Sequence, residues 1–107
     1  TNIVIGAAKA GVQVLSKKQL GEAKNLLVAA DVNAVPPVGI EGVGIHDMGV
    51  ELPETPQNAI GLGALAIGDI KYKLHLKLFE MMKSADEPLY VDHNCAFDVA
   101  REIVSKL

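Results

Sequence analysis

The sequence predicts an α/β fold in which helices pack on a parallel β-sheet, and three observations support this. The apolar runs at residues 3–5 and 26–30 are continuous, as in strands that are buried on both faces. Aromatic residues are only 4% of the 107 residues, so aliphatic side chains must fill one core. Residues 69–85 contain neither proline nor glycine and are rich in helix formers.

The first half of the chain contains several short predicted elements. A strand at residues 2–5 ends at Gly6, and Ser16 is placed to cap a short helix that runs through about Glu22. The second buried strand, residues 26–30, ends at Asp31. After a glycine-rich loop, residues 43–46 are a short strand candidate, 46–49 a turn, 50–52 a returning hairpin strand and 59–61 a third candidate for the main sheet.

The second half is predicted to be helical. Residues 71–78, KYKLHLKL, alternate with period two like a strand, yet Ile67, Ile70 and Leu74 recur at helical spacing. A strand of this length would be unusual, so a helix is predicted over 64–84. It is apolar on more than one side, which is typical of a helix packed between layers or domains. Asp92 is the predicted N-cap of a last helix over 93–106.

The order of these elements is strand, short helix, strand, glycine-rich loop, strand and long helix. This order is that of the C-terminal half of a Rossmann-like, doubly wound parallel sheet, followed here by a C-terminal helix. No strand is followed by G-x-G-x-x-G, the phosphate-binding fingerprint of the first half. Residues 1–107 are therefore predicted to be part of a nucleotide-binding domain.

Charge and composition exclude several classes of function. The formal net charge is −3 and there is no long basic run, so we expect no nucleic-acid partner. The apolar stretches fall short of the roughly 20 residues of a membrane span, and no signal peptide is visible. The single Cys95 lies near His93 and Asp98, but its spacing does not favour a metal site or a nucleophilic thiol. A reduced thiol in a cytoplasmic protein without a metal is predicted.

Two predicted strand ends carry candidate ligand-binding residues, because ligands of open parallel sheets bind beyond the carboxyl ends of the strands. Gly6, Ala7 and Ala8 would let a flat ligand approach the backbone, although a tightly packed turn needs small residues too. Asp31 and Asn33 offer polar groups to a ribose or an amide, although both are also turn formers. The two prolines after them, ending at Pro37, stiffen a loop suited to face a ligand.

Two further candidates lie on the long predicted helix. Gly63, Ala64 and Leu65 form a glycine-rich helix entry whose amides could face an anion or a carbonyl, with close helix packing as the alternative. Lys71 and His75, at positions i and i+4, share a helix face. They could bind an anionic ligand or transfer a proton, with an ordinary solvated face as the alternative.

These segments together resemble a known family. IGAAKAGVQVL at residues 5–15, ADVNAVPPVGI at 30–40, GALAIG at 63–68 and KYKLH at 71–75 are similar to the C-terminal part of the methylene-tetrahydromethanopterin dehydrogenase family, bacterial pyridine-nucleotide enzymes of one-carbon oxidation. The resemblance covers about residues 3–82. It implies a Rossmann-like domain, a pterin-binding N-terminal domain absent from this chain, and a substrate cleft between the two.

The resemblance also implies roles for the candidate residues. Hydride would pass from the methylene carbon of a reduced pterin, or of its folate counterpart, to NAD or NADP. Cofactor-binding residues would be those at the strand ends, the loop and the helix entry: Gly6, Ala7, Ala8, Asp31, Asn33, Pro37, Gly63, Ala64 and Leu65. Lys71 and His75 would lie on the substrate side of a helix that packs back towards the missing domain. No catalytic residue is assigned.

Two alternatives remain open at this point. The chain could be a non-catalytic assembly module, since half a sheet exposes an unpaired edge and an apolar helix face. It could also belong to another Rossmann oxidoreductase of the shikimate dehydrogenase type, although the A-D-x-N-A-x-P-P run is not expected there. As part of a longer enzyme, the chain alone is predicted to be inactive, and the parent is predicted to be a homo-oligomer.

Overall fold

The computed structural model describes all residues, Thr1–Leu107, as four strands and three helices. In chain order these are β1 (Ile3–Gly6), α1 (Lys17–Glu22), β2 (Val28–Asp31), β3 (Met48–Glu51), β4 (Ile60–Leu62), α2 (Ala64–Ser84) and α3 (His93–Ser105). The chain divides into two compact units, Thr1–Ile67 and Gly68–Leu107, which are described separately.

The first unit is built on one sheet with the strand order β1-β2-β4-β3. β1, β2 and β4 are parallel, and β3 pairs antiparallel with β4 at one edge. The predicted α/β fold with a mostly parallel sheet is therefore confirmed. An antiparallel edge strand on an otherwise parallel sheet is common in this fold class.

The predicted strand at residues 43–46 is wrong. The Gly44 N–H donates to Oδ2 of Asp47 at 2.7 Å, and the Asp47 N–H donates to the Gly44 carbonyl at 3.0 Å. These two bonds close a turn, because the short Asp47 side chain competes for the backbone groups that a strand would need. The returning strand exists as β3, but its partner is β4 and not residues 43–46.

The core of the first unit lies on one face of the sheet. Ala29 in the middle of β2 and Leu20 on α1 are almost fully buried there, as are Ile40, Val43 and Leu52 from the connecting segments. α1 has the predicted start at Ser16, whose hydroxyl accepts from the Gln19 N–H while the Gln19 side chain accepts from the Ser16 N–H. This capping box fixes the short helix over the sheet.

The second unit contains most of α2 and all of α3. α2 spans the predicted residues, and its apolar side chains form a half-buried row and an exposed row. The half-buried row is Ile70, Leu74, Leu78 and Met81, and the exposed row is Tyr72, Leu76, Phe79 and Met82. α3 starts after the predicted N-cap Asp92, whose carboxylate accepts from the Cys95 N–H at 3.0 Å. None of the helices combines the length and apolarity needed to cross a bilayer.

Two glycines near the start of α2 give a matched stability test. A Cβ on Gly63 would overlap the backbone of Gly44 and Ile45, whereas a Cβ on Gly68 would meet nothing within 4 Å. Gly63→Ala is expected to lower the free energy of unfolding by about 1–3 kcal/mol through overpacking. Gly68→Ala is expected to raise it by up to about 1 kcal/mol through helix propensity. Urea unfolding midpoints measure both, and equal midpoints would contradict the close approach at Gly63.

Candidate functional site

The carboxyl ends of β1 and β2 lie next to each other in the sheet. Gly6 and Asp31 are register partners, and the Val32 N–H donates to the Gly6 carbonyl at 3.0 Å. The two strand ends singled out in the sequence are thus adjacent. The loops that follow them, residues 7–15 and 32–40, start from the same place on the sheet, where ligands of open parallel sheets bind.

Asp31 uses its carboxylate inside the protein. The side chain is 2% exposed, and its two oxygens accept the N–H groups of Asn33 and Ile40, each at 3.0 Å. Gly39 allows this position, because a Cβ there would lie 2.8 Å from Oδ1. The carboxylate therefore holds both ends of the loop that contains the two prolines, and both oxygens are occupied by backbone donors.

Asn33 connects the two loops. Its Oδ1 accepts from the Gly11 N–H at 3.3 Å and from the Val35 N–H at 2.9 Å, while Nδ2 donates to the Pro37 carbonyl at 3.0 Å. The side chain is buried, so these bonds satisfy its amide away from solvent. Asn33 thereby shapes the loop after β2 and fastens it to the loop after β1.

Backbone hydrogen bonds join the loops again at their far ends. The N–H groups of Val14 and Leu15 both donate to the Gly39 carbonyl, at 2.8 and 3.1 Å, and the Glu41 N–H donates to the Leu15 carbonyl at 2.9 Å. The Pro36–Pro37 peptide between these anchors is cis. We call five of the solvent-exposed residues of the two loops the strand-end rim: Ala7, Ala8, Val32, Val35 and Pro37.

Gly6 differs from its two alanine neighbours. A Cβ on Gly6 would lie 3.2 Å from Cγ1 of Ile40 and 3.3 Å from Oδ1 of Asp31, so that side of Gly6 is filled by the protein. Close packing therefore accounts for the glycine. Ala7 and Ala8 are exposed, and they leave room above the strand end for another molecule.

The helix entry at residues 63–65 is also closely packed. The Gly63 N–H donates to the Asp47 carbonyl and the Leu65 N–H to the Ile45 carbonyl, both at 2.8 Å. Carbonyls of the turn at residues 44–47 thus accept hydrogen bonds from two of the amides that were predicted to face a ligand. The turn also fills the space beside Gly63. Ala64, between them, is half-buried.

Lys71 and His75 lie in the second unit and are both exposed, one helical turn apart. Lys71 is in none of the three salt bridges of the chain, whereas Lys73 pairs with Asp69 at 2.7 Å. His75 lines a shallow cavity of about 240 Å³ together with Leu78, Phe79, Met82 and Val91. These two side chains thus combine a free positive charge with an imidazole beside an apolar surface.

The pKa values of two carboxylates are lowered from their usual range. The pKa of Glu54 is lowered by a backbone hydrogen bond and by Lys17, whose Nζ is 3.2 Å from Oε1 of Glu54. The pKa of Glu102 is lowered by hydrogen bonding and charge attraction from Lys106 at 3.1 Å. Neither residue belongs to the strand-end rim. The Lys17–Glu54 pair joins residues far apart in the chain, so no local sequence signal could have revealed it.

The strand-end rim suits a flat ring better than a metal or a phosphate. Nowhere in the chain do three His, Cys, Asp or Glu side chains gather as metal ligands would. β1 is followed by a turn at residues 10–11 and an extended segment, not by a helix whose N-terminus could bind a phosphate. The exposed Val32 and Val35, which the sequence did not single out, add apolar surface next to Ala7 and Ala8.

The role of the Asp31 carboxylate can be tested through stability. Asp31→Ala would leave two buried backbone N–H groups without acceptors, and each lost partner costs about 1–3 kcal/mol. We expect a clear fall in the urea unfolding midpoint, with the exposed Asp86→Ala as the control that leaves it unchanged. If Asp31→Ala unfolds at the same urea concentration as the control, the carboxylate does not hold the loop.

Comparison with known proteins identifies relatives of this chain. It is 42% identical over 102 residues to the NAD(P)-dependent methylenetetrahydromethanopterin dehydrogenase of Methylorubrum extorquens, an alignment that covers 95% of the chain and 34% of the relative. It is 35% identical over 83 residues to the bifunctional protein MdtA of the same organism, covering 74% of the chain and 27% of that protein. No family model matches the chain.

The chain therefore spans only 34% of the length of the first relative and 27% of the second. The matched region of the first relative is a C-terminal portion, as the sequence motifs predicted. The resemblance is thus confirmed: over almost its whole length, this chain is a homologue of the C-terminal portion of the methylenetetrahydromethanopterin dehydrogenase family.

Proposed function

We propose that the chain is the nicotinamide-side part of an NAD(P)-dependent dehydrogenase of one-carbon metabolism. The reaction is the transfer of a hydride from the methylene carbon of methylene-tetrahydromethanopterin, or of its folate counterpart, to NAD⁺ or NADP⁺. The products are the methenyl form of the pterin and the reduced nucleotide. The main support is the 42% identity over 95% of the chain to a relative with this activity in its name.

The strand-end rim fits the nicotinamide half of such a cofactor. It lies beyond the carboxyl ends of two adjacent parallel strands, and its exposed Ala7, Ala8, Val32 and Val35 present small apolar side chains. An apolar surface with little bulk allows a flat ring to lie against it. NAD(P) supplies the hydride chemistry when bound, and the protein orients the ring and keeps water away.

Asp31 and Asn33 contribute by positioning. Their side-chain polar atoms are hydrogen-bonded to backbone groups of the two loops. We therefore propose that both residues maintain the shape of the rim and do not bond directly to the cofactor. Pro37 takes part through its carbonyl, which accepts from Asn33. Gly6 serves by allowing close packing below the rim, Gly63 allows the turn at residues 44–47 to pack against the helix entry, and Ala64 and Leu65 begin α2.

The rest of the nucleotide would bind elsewhere. The pyrophosphate of dinucleotides usually sits at the N-terminus of a helix that directly follows a G-x-G-x-x-G loop. The segment after β1 lacks this motif and leads only after an extended stretch to the six-residue α1. The choice between NAD and NADP therefore belongs to a part of the enzyme that this chain does not span. We expect the chain alone to be inactive, and we expect the complete enzyme to be a cytoplasmic homo-oligomer without a metal.

Lys71 and His75 are proposed to face the substrate. Lys71 carries a positive charge that no carboxylate of the chain neutralises in a salt bridge, and His75 lies one turn further along the helix beside an apolar surface. Such a pair can hold an anionic group of the pterin substrate while the apolar surface contacts its rings.

A chimeric enzyme tests the proposed function. In it, this chain replaces the matched C-terminal portion of the Methylorubrum extorquens dehydrogenase. Formation of reduced nucleotide, followed by its absorbance with methylene-tetrahydromethanopterin as substrate, is the expected result. A folded chimera that reduces neither NAD⁺ nor NADP⁺ with either carrier would refute the proposal.

The rim can be probed in the same chimera with two matched substitutions of alanine by leucine. Ala8→Leu places a larger side chain on the strand-end rim, whereas Ala10→Leu adds the same bulk at an exposed position of the same loop outside it. We expect Ala8→Leu to raise the KM for the nucleotide about tenfold or more, equivalent to about 1.4 kcal/mol, because the leucine side chain would occupy space that the ring needs. Equal KM values for the two variants would place the nicotinamide elsewhere.

The substrate side offers a second matched pair. Lys71→Gln removes the unpaired charge, and Lys73→Gln removes one that is already bonded to Asp69. A charge-assisted hydrogen bond is worth about 1.5–3 kcal/mol, so Lys71→Gln is expected to raise the KM for the pterin at least about tenfold. Lys73→Gln should change it little. A KM that responds to both substitutions alike would argue for general electrostatics instead of a contact at Lys71.

A non-catalytic assembly module is the second candidate. Exposed apolar side chains on β1, α2 and α3, such as Ile5, Phe79 and Phe97, support an associating surface in both units. A chimera that assembles and binds nucleotide but transfers no hydride would favour this candidate. The named relatives favour the pterin enzyme over an oxidoreductase of the shikimate dehydrogenase type.

A further inference from the structure

We infer that a groove between α2 and α3 binds an aliphatic carboxylate. The groove belongs to the second unit, has a volume of about 400 Å³ and shares no lining residue with the cavity beside His75. The inference goes beyond the proposed function, because it involves neither the nucleotide nor the pterin. Three features carry it: an apolar floor, an excess of positive charge among the lining side chains, and a lysine without a carboxylate partner.

The first feature is the apolar floor of the groove. The lining residues are Lys73, Leu76, Lys77 and Glu80 of α2, Ile103 of α3, and Lys106 and Leu107 after α3. Leu76, Ile103 and Leu107 form the floor, and no aromatic residue lines the groove. The volume lies in the range of small-molecule sites, roughly 300–1,000 Å³. The floor therefore offers aliphatic contacts to a ligand and no ring on which an aromatic ligand could stack.

Helical spacing explains why the α2 residues meet in one groove. Residues 73, 76, 77 and 80 recur at positions i, i+3, i+4 and i+7, which lie on one face of a helix. His75, Phe79 and Met82, which line the other cavity, lie on a different face. Lysine side chains typically lay their aliphatic stems along apolar surface and keep the ammonium group in water. The lysines of the groove thus extend its apolar wall and place their charges at its rim.

The second feature is the charge of the lining side chains. Three of them are lysines, whereas Glu80 is the one carboxylate among them. Asp69 pairs with Lys73 at 2.7 Å and Glu102 with Lys106 at 3.1 Å, but neither Asp69 nor Glu102 lines the groove. A ligand in the groove would therefore meet more positive than negative charge, which favours an anion.

The third feature is the free ammonium group of Lys77. Of the lysines that line the groove, only Lys77 is in none of the three salt bridges of the chain. The pKa of Glu102 is lowered mainly by Lys106 and to a smaller extent by the charge of Lys77, so Lys77 lies within electrostatic reach of α3. Lys77 can thus form a charge-assisted hydrogen bond with a ligand carboxylate without breaking an existing salt bridge.

An aliphatic carboxylate uses the floor and the free lysine together. Leu76 is 45% exposed and Leu107 66%, so an alkyl chain laid on the floor would remove apolar surface from water. The head group would accept a hydrogen bond from Lys77. A second copy of the chain fits less well, because in a two-fold symmetric dimer through this groove the same lysines of both copies would face each other.

Titration with decanoate tests the inference. Binding is followed by NMR through the methyl resonances of Leu76 and Ile103, and we expect saturation with a Kd below about 1 mM. Octanoate should bind at least about threefold more weakly, because it lacks two of the CH₂ groups that contact the floor. Decylammonium, which has the same chain length and the opposite charge, should bind at least about tenfold more weakly than decanoate.

Matched variants locate the head group. Lys77→Gln removes the free ammonium group and should weaken decanoate binding at least about tenfold. Lys83→Gln, on the same helix but outside the groove, should leave it unchanged. Glu80→Gln should strengthen it, because the one carboxylate of the lining is removed. All three side chains are exposed, so we expect equal urea unfolding midpoints for these variants, which verifies that they fold.

Several outcomes would overturn the inference. Methyl resonances that do not respond to decanoate would exclude binding in the groove. Equal binding of decanoate and decylammonium, or equal effects of Lys77→Gln and Lys83→Gln, would reduce the interaction to unspecific adsorption. Shifts of the same resonances that grow with the concentration of the chain alone would make a second copy the occupant. None of these measurements involves hydride transfer, so their results are independent of the proposed function.

Discussion

The buried carboxylate of Asp31 is the constraint on which the geometry of the candidate site depends. It ends β2, lies next to Gly6 of β1, and accepts hydrogen bonds from the N–H groups of Asn33 and Ile40. An isolated carboxylate would be costly to bury, but one whose two oxygens both face backbone donors is stabilised. The chain between those two donors is consequently closed into a loop of fixed shape.

The hydrogen bonds of Asn33 extend this order to the neighbouring strand. Gly11 and Pro37 lie in different loops, yet both are bonded to the same amide side chain. The Gly39 carbonyl adds a further link by accepting from Val14 and Leu15. The two strand ends therefore form one connected, preorganised platform, and a ligand that bound there would have to order little of it.

Much of the fold could be predicted from sequence because its signals are local. The caps at Ser16 and Asp92, the apolar runs of β1 and β2, and the composition of α2 all lie within the elements that they define. The strand at 43–46 was predicted wrongly because the preference of Val and Ile for strands competes with the Asp47 side chain, which closes a turn. Local preference alone does not decide such a competition.

The candidate site was harder to predict, for a physical reason. Asp31 and Asn33 were recognisable as special residues, but their partners Ile40 and Gly11 are 9 and 22 residues away. Whether a polar side chain faces a ligand or a distant backbone amide depends on the tertiary structure. The glycines at 6 and 63 pose the same problem, since only the folded chain reveals that Ile40 and the backbone of Gly44 fill the spaces beside them.

Different residues determine the shape of the platform and the chemistry of its surface, and this separation has an evolutionary consequence. Asp31 and Asn33 maintain its shape through bonds made below the surface, whereas the side chains of Ala7, Ala8, Val32 and Val35 make none of those bonds. Substitutions at the latter positions can alter which molecule the surface accepts without loosening the scaffold beneath. Descendants of such a protein could thus acquire new ligand preferences in small steps, each with little penalty in folding.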